Sequence, residues 1–228
     1  ILLILIYLMI FSTKLTIKNI HLQEWFTNNI STINISLIFT VIFSYIYSLE
    51  YLGILTLFGA ITLILEILIN LVTNLKLKKI KGAYWSGQLA HLGIGIFAIG
   101  LILNVTQSYS NEFITNEEAS INFGGNTYIV NRAYEVSKPE KNIINLPITK
   151  GKKNKNTSLN IFKNSSQQAI SSPAIFRNLE SDTYVTIKFI DNNYYKLIFR
   201  KNYGILIMWL GLAMTTTSVI PKVRKNEK

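Results

Sequence analysis

The sequence predicts an integral membrane protein that is mainly α-helical, with about four to five transmembrane helices and a small extramembrane β domain inserted before the last helix. Of the 228 residues, 49% are hydrophobic, and these residues are concentrated in long runs. A polar stretch rich in Asn, Lys, Ser and Thr separates the last run from the others. Because a helix crosses a bilayer with roughly 20 apolar residues, the long runs indicate spans and the polar stretch indicates a domain outside the membrane.

The apolar runs divide into helices at polar or charged breaks. Residues 1–11 are apolar but short and are interpreted as a partial span, and residues 12–32 as a polar connector. The tract 33–74 divides at a tight turn around Glu50. The predicted full spans are residues 33–49, 51–73, 85–105 and 204–220. The resulting domains are 1–105 (helices with basic inner loops), 106–202 (the β domain) and 203–228 (the final helix and a basic tail).

Positive charges predict the orientation of these spans. Lysines and arginines cluster before residue 20, in the loop 75–81 and in the tail after Pro221. If the spans alternate, all three clusters face one side, which the positive-inside rule assigns to the matrix or cytoplasm. Residues 106–202 then face the intermembrane space or periplasm. The abundance of Ile, Asn, Lys, Phe and Tyr is typical of AT-rich organellar genomes, which favours a mitochondrial inner membrane over the alternative, a bacterial inner membrane.

Two hairpins are expected within residues 106–202. Residues 121–123 and 127–136 flank a Gly-Gly-Asn turn, and residues 184–190 and 194–200 alternate apolar and polar side chains around residues 191–193. The lysine-rich segment 150–155 between them is predicted to be a charged, solvated loop.

Composition excludes several classes of function. The chain has no cysteine, and therefore no disulfide, thiolate metal site or thiol redox chemistry. The net charge of +11 is explained by the loops, and the absence of a basic helix or an aromatic RNA-binding motif argues against a nucleic-acid partner. The partners expected from this composition are membrane lipids. No catalytic triad, phosphate loop or zinc spacing is present, so the catalytic residues stay unknown.

One histidine lies inside an apolar helix. His91 has Gly87 four residues before it and Gly95 four residues after it, so these three positions share a helix face. A neutral imidazole can bind a haem iron axially, and glycines leave room for the porphyrin beside the helix. The alternative is that the three residues form a small-residue packing surface with the imidazole as an interhelical contact. The candidate cofactor-binding residues are therefore His91, Gly87 and Gly95, with His91 as the candidate metal ligand.

A second polar set lies on the span before it. Thr62, Glu66 and Asn70 are spaced by four residues and share one face. A carboxylate at this depth could relay protons or contact a quinol. The alternative is a polar seam against a neighbouring helix, with Glu66 protonated. His21, near Trp25 in the connector, is a weaker candidate for a second haem ligand.

The segment around His91 resembles the C-terminal part of the CcmF family, membrane proteins of cytochrome c maturation that act as haem lyase. In that family an L-A-H-L-G helix follows a basic loop, and Leu89–Gly93 match it here. A soluble β domain comes next, with a late strand that matches Asp182, Tyr184 and Val185. A final helix then carries a Trp-Leu-Gly group that matches residues 209–211.

The resemblance implies that His91 is one axial ligand of a membrane haem b, which reduces a second haem before its attachment to apocytochrome c. The family's second axial histidine and its tryptophan-rich loop are not recognisable in this chain. The resemblance therefore implies the C-terminal subunit of a split, multi-chain haem lyase of the mitochondrial kind. Its expected partners are an N-terminal CcmF-like chain carrying the tryptophan-rich loop and the second ligand, a haem chaperone, and apocytochrome c. The alternative is a non-catalytic scaffold subunit, derived from that family, in a larger inner-membrane complex.

Overall fold

The computed structural model describes residues 2–15, 22–76, 82–115, 118–163, 169–190 and 194–218. The chain divides into two compact units. One comprises the helices, Ile1–Gln107 and Gly204–Lys228, and the other is Ser108–Tyr203, which is built of strands.

The described residues of the first unit form five helices: α1 (Leu2–Leu15), α2 (Leu22–Tyr47), α3 (Tyr51–Lys76), α4 (Gly82–Gln107) and α5 (Ile205–Thr217). Among them, three segments are long and apolar enough to cross a membrane, namely Asn29–Tyr47, Tyr51–Thr73 and Trp85–Gln107, and α5 is a shorter apolar helix. The predicted fold class, apolar helices with a β domain inserted before the last helix, is confirmed. The turn predicted at Glu50 is also confirmed, because α2 and α3 are separated there by three residues.

The polar connector predicted over residues 12–32 is wrong for much of its length. α1 extends to Leu15, and α2 already begins at Leu22. The reason is visible in the burial of the polar side chains: Asn29 is 6% exposed and Thr32 is 5% exposed. These residues form a polar stripe that faces another helix, and such a stripe has the same composition as a solvated loop. His21 and the side chain of Trp25 lie outside the described residues.

Helices α1, α2 and α4 pack against α3, and α5 packs against α4. Buried apolar side chains of α1, α3 and α4 form one cluster, which comprises Ile6, Ile10, Ala60, Leu63, Ile67 and Ala98. A smaller cluster joins the α2–α3 turn to α4 through Leu49, Leu57 and Ile102. α4 therefore contacts α3 on one face.

In the part of the second unit that the structure describes there are ten strands: β1 (Tyr109–Thr115), β2 (Ala119–Phe123), β3 (Asn126–Val130), β4 (Tyr134–Ser137), β5 (Lys141–Lys150), β6 (Lys153–Phe162), β7 (Ala169–Ser172), β8 (Ala174–Arg177), β9 (Ser181–Ile190) and β10 (Tyr194–Tyr203). One antiparallel sheet has the order β1-β10-β9-β8. The other has the order β2-β3-β5-β6-β7, with β4 paired to β5. Alternate side chains of both sheets point into a shared apolar core. At its centre Tyr128 contacts Phe176 and Phe199, with ring centroids 5.4 Å and 5.2 Å apart.

Both predicted hairpins are present, as β2–β3 and β9–β10. The strand expected over residues 127–136 is, however, broken. Val130 pairs with Ile148 and Tyr134 with Asn145, so the chain carries one extra residue relative to β5 between these two pairs. An extra residue makes a bulge that interrupts a ladder.

The flexible loop predicted over residues 150–155 is wrong. Lys150 pairs directly with Lys153, and Gly151 and Lys152 form a two-residue turn between β5 and β6. Gly151 has a φ of 55°, a left-handed conformation that glycine adopts without strain. Most of the lysines in this segment are exposed, but exposure does not imply a loop here. Strands β5 and β6 include most of the segment, because only one side of this hairpin faces the core.

Candidate functional site

His91 lies on α4 and is partly exposed. Its Nδ1 is 2.7 Å from the carbonyl oxygen of Gly87, one turn earlier in the same helix. Because a carbonyl oxygen can only accept a hydrogen bond, Nδ1 carries the proton and donates it. In this tautomer the ring's lone pair lies on Nε2, the nitrogen through which such a histidine can ligate a metal.

The two glycines that flank His91 have different surroundings. Among the described residues, a Cβ placed on Gly87 meets nothing within 4 Å, whereas a Cβ on Gly95 comes within 2.8 Å of the Ile64 side chain. Gly95 therefore serves the packing of α4 against α3. The space beside the imidazole lies on the side of Gly87.

A close contact between α4 and α5 holds the helix that carries His91. A Cβ on Gly93 lies 2.6 Å from the carbonyl oxygen of Gly211, and a Cβ on Gly211 lies 2.5 Å from the backbone nitrogen of Phe97. Farther along, Gly100 meets the backbone of Met208. The hydroxyl of Ser86 donates a hydrogen bond to the carbonyl of Ser218 at the other end of this interface.

Sequence reasoning did not find this glycine interface. The signal was present: Gly93 and Gly100 are seven residues apart on α4, and Gly204 and Gly211 are seven apart on α5. In antiparallel helices these positions meet in pairs, and small residues at such positions allow backbones to approach closely.

Thr62 and Glu66 are buried in α3, at 4% and 3% exposure, and Asn70 is partly buried. The hydroxyl of Thr62 donates to the carbonyl of Phe58 in its own helix. α2 packs against α3 and buries a polar stripe of its own, which comprises Asn29, Thr32, Ser36 and Thr40. Because the two helices are antiparallel and joined by a short turn, the stripes lie at matching distances from that turn. This arrangement favours the polar seam over an open path for protons.

Gln88, one turn before His91, is a further residue that the sequence did not single out. It is 8% exposed, and its Oε1 has no hydrogen-bond partner within the described residues. Those residues also contain no cluster of three or more His, Asp or Glu side chains that could hold a metal ion. In the described helices, metal ligation would therefore depend on the single imidazole of His91.

Comparison with known proteins identifies the fold. The chain is similar to a solved structure described as cytochrome c heme lyase CcmF, with a TM-score of 0.72 and 10% sequence identity. The similarity covers 89% of this chain and 35% of that chain, so this chain spans about a third of the CcmF protein. No protein-family model matches the sequence, and no curated protein matches it. The chain therefore shares the fold of a portion of CcmF, including helices that place it in a membrane.

Proposed function

We propose that this chain is the C-terminal part of a CcmF-like cytochrome c haem lyase, and that His91 supplies one axial ligand to a membrane haem b. The observation that carries the proposal is the hydrogen bond of His91 Nδ1 to the Gly87 carbonyl, which fixes the ring and assigns the proton to Nδ1 and the lone pair to Nε2. Support comes from the fold shared with CcmF and from the position of the L-A-H-L-G sequence in a helix directly before the β domain.

The residues around His91 fit such a group on one side. Gly87 leaves open space next to the imidazole, and the helix there carries Ala90 one residue before His91. The other side is closed, since Gly95 packs against Ile64. A macrocycle bound at His91 would thus lie toward the N-terminal end of α4 and not along the whole Gly87–Gly95 face.

A haem held there supplies one-electron chemistry. The chain's own residues orient the ligand: the Gly87 carbonyl fixes the imidazole ring, and the contacts of α4 with α3 and α5 fix the helix. An acceptor on Nδ1–H also raises the basicity of Nε2. Because one histidine supplies one ligand, we propose that the second ligand comes from another polypeptide, an N-terminal CcmF-like chain.

We further propose a mitochondrial inner membrane as the location, with residues 106–202 on the intermembrane-space side and the basic loops in the matrix. The charge distribution of the sequence supports this orientation. In this arrangement the β domain occupies the compartment in which a haem chaperone and apocytochrome c would be partners.

The test is a reduced-minus-oxidised absorption spectrum of the purified assembly carrying His91→Ala. We expect loss of the b-type haem band. His21→Ala is the matched control, because it removes the only other histidine of the chain and should leave the band unchanged.

An unchanged b-type band in His91→Ala would overturn the ligand assignment. Absence of haem from the wild-type assembly, together with stoichiometric co-purification of respiratory subunits, would favour the scaffold alternative instead.

A further inference from the structure

The β domain contains a basic cleft that the proposed haem site does not use. We define the basic cleft as the space of about 650 Å³ between residues 153–156 of β6 and residues 173–177, which include β8. Both walls of this space are strand edges.

In the described structure, the part of each edge that lines the cleft has no strand paired beside it. β6 pairs with β5 along its whole length on one side, but on the other side it pairs with β7 over residues 158–161 only. β8 ends the four-stranded sheet and pairs with β9 on one side. An open strand edge presents backbone N–H and C=O groups that another extended chain can bind.

The cleft is positively charged. Lys153, Lys155 and Arg177 line it, and an adjoining cleft of about 570 Å³ shares Lys153 and Arg177 and adds Lys150 and Lys152. Within the described residues none of these five side chains forms a salt bridge, although Arg177 is paired on the sheet with Asp182: burial raises the pKa of that carboxyl group, and the Arg177 charge lowers it. The Lys153 ammonium donates a hydrogen bond to the Arg177 carbonyl.

The positive charges are close enough to repel one another. Burial lowers the pKa of Lys150, and repulsion from Lys153 and Lys201 lowers it further. An anion bound among them would relieve this repulsion.

We propose that the basic cleft binds an extended acidic peptide segment of a partner protein, which adds as a strand to the open edge of β8. Lys153 and Lys155 lie two residues apart and therefore on the same face of β6. Their spacing along the strand, about 6.6 Å, equals that of alternate side chains in an extended peptide. Acidic residues at alternate peptide positions can thus meet both lysines while the peptide backbone pairs with residues 174–177.

A peptide fits these observations better than an anionic lipid. A lipid headgroup would use the positive charges but would leave the open backbone edge of β8 unpaired. The proposal concerns residues of the β domain alone and stands whether or not haem binds at His91.

The test uses the full chain in nanodiscs of zwitterionic lipid and a fluorescent peptide of alternating glutamate and valine. Fluorescence anisotropy should report binding that weakens as salt rises, and hydrogen exchange should slow at the amides of residues 174–177. The double variant Lys155→Glu/Arg177→Glu should weaken binding about tenfold or more. Lys188→Glu is the matched control, since Lys188 is an exposed lysine on β9 outside the cleft.

Three results would overturn the proposal: an affinity equal to that of a lysine–valine peptide, binding without slowed exchange at residues 174–177, or the same slowed exchange caused by anionic lipid without peptide. The last result would identify a headgroup site. If the double variant fails to fold, the single variant Lys155→Glu serves in its place. Lys155 is exposed, and its replacement should still lower the affinity relative to Lys188→Glu.

Discussion

At the scale of single residues, α4 itself orients the candidate ligand. The carbonyl that accepts the proton of His91 Nδ1 belongs to Gly87, four residues earlier, and Gly87 also leaves the neighbouring space open. One glycine thus has two roles, because its backbone fixes the ring and its missing side chain leaves room. The spacing of His91 and Gly87 predicted the shared face, but the hydrogen bond depends on a rotamer that sequence does not reveal.

Gly87→Leu tests whether the open space is used. Without haem the change should be tolerated for two reasons. Among the described residues a Cβ at position 87 meets nothing within 4 Å, and leucine favours a helix by about 1 kcal/mol relative to glycine. If a macrocycle occupies the space, the leucine displaces it. We expect haem content per protein to fall severalfold, while the yield stays unchanged and the melting temperature of the chain does not fall.

Haem content is measured as the pyridine haemochrome, and Gly87→Ala provides a smaller substituent for comparison. Full haem content in Gly87→Leu would contradict placement of the group on the Gly87 side of His91.

At the scale of elements, the packing of α4 against α5 depends on pairs of glycines. Backbone atoms of one helix lie where a Cβ of the other would be, at Gly93, Gly100 and Gly211. Such contacts cannot be relieved by a change of rotamer, since the opposing atoms are backbone. The interface is therefore the most sensitive part of the helical unit to substitution.

Gly211→Val should destabilise this interface by at least about 1–3 kcal/mol, the usual cost of overpacking. A Cβ there falls 2.5 Å from the Phe97 nitrogen, so the helices must separate. The measurement is thermal unfolding of the purified chain in detergent, with Gly87→Ala as the control because a Cβ at Gly87 meets nothing within 4 Å. Equal melting temperatures for Gly211→Val and wild type would show that the two helices do not pack as described.

The elements themselves were largely predictable from sequence. Long apolar runs located α2, α3, α4 and α5, and alternation located the β2–β3 and β9–β10 hairpins. The predictions that were wrong have physical causes. Polar composition at residues 22–32 and 150–155 was interpreted as loop, although in the first segment polar groups are buried between helices and in the second they cover one side of a hairpin. The helix that covers Gly95 could not be predicted, because it depends on packing and not on local period. The partner of Gly93 did have a signal in the matched glycine spacing of α4 and α5.

At the scale of the whole molecule, the described helices offer one histidine and a large apolar surface. On α2, for example, Ile38 is 59% exposed and Val41 is 61% exposed. Lipid or further helices must cover such side chains. The similarity to CcmF covers 35% of that chain, so the matched portion of CcmF is accompanied there by further residues.

Co-expression should therefore control haem binding. We expect this chain purified alone to bind b-type haem weakly or not at all, and the chain purified with a CcmF-like N-terminal partner to bind it with two axial imidazoles. Electron paramagnetic resonance of the oxidised complex distinguishes two-imidazole ligation from one. A stable two-imidazole haem in the isolated chain would contradict the requirement for a partner.

Chemical rescue of His91→Gly tests the central claim most directly. The variant removes the imidazole and leaves a gap in which free imidazole can bind a haem iron. We expect the b-type haem band to be lost in His91→Gly and to return when imidazole is added to the purified assembly, while wild type and His21→Ala do not change. A band that persists in His91→Gly, or a loss that imidazole does not reverse although the assembly stays folded, would contradict ligation by His91.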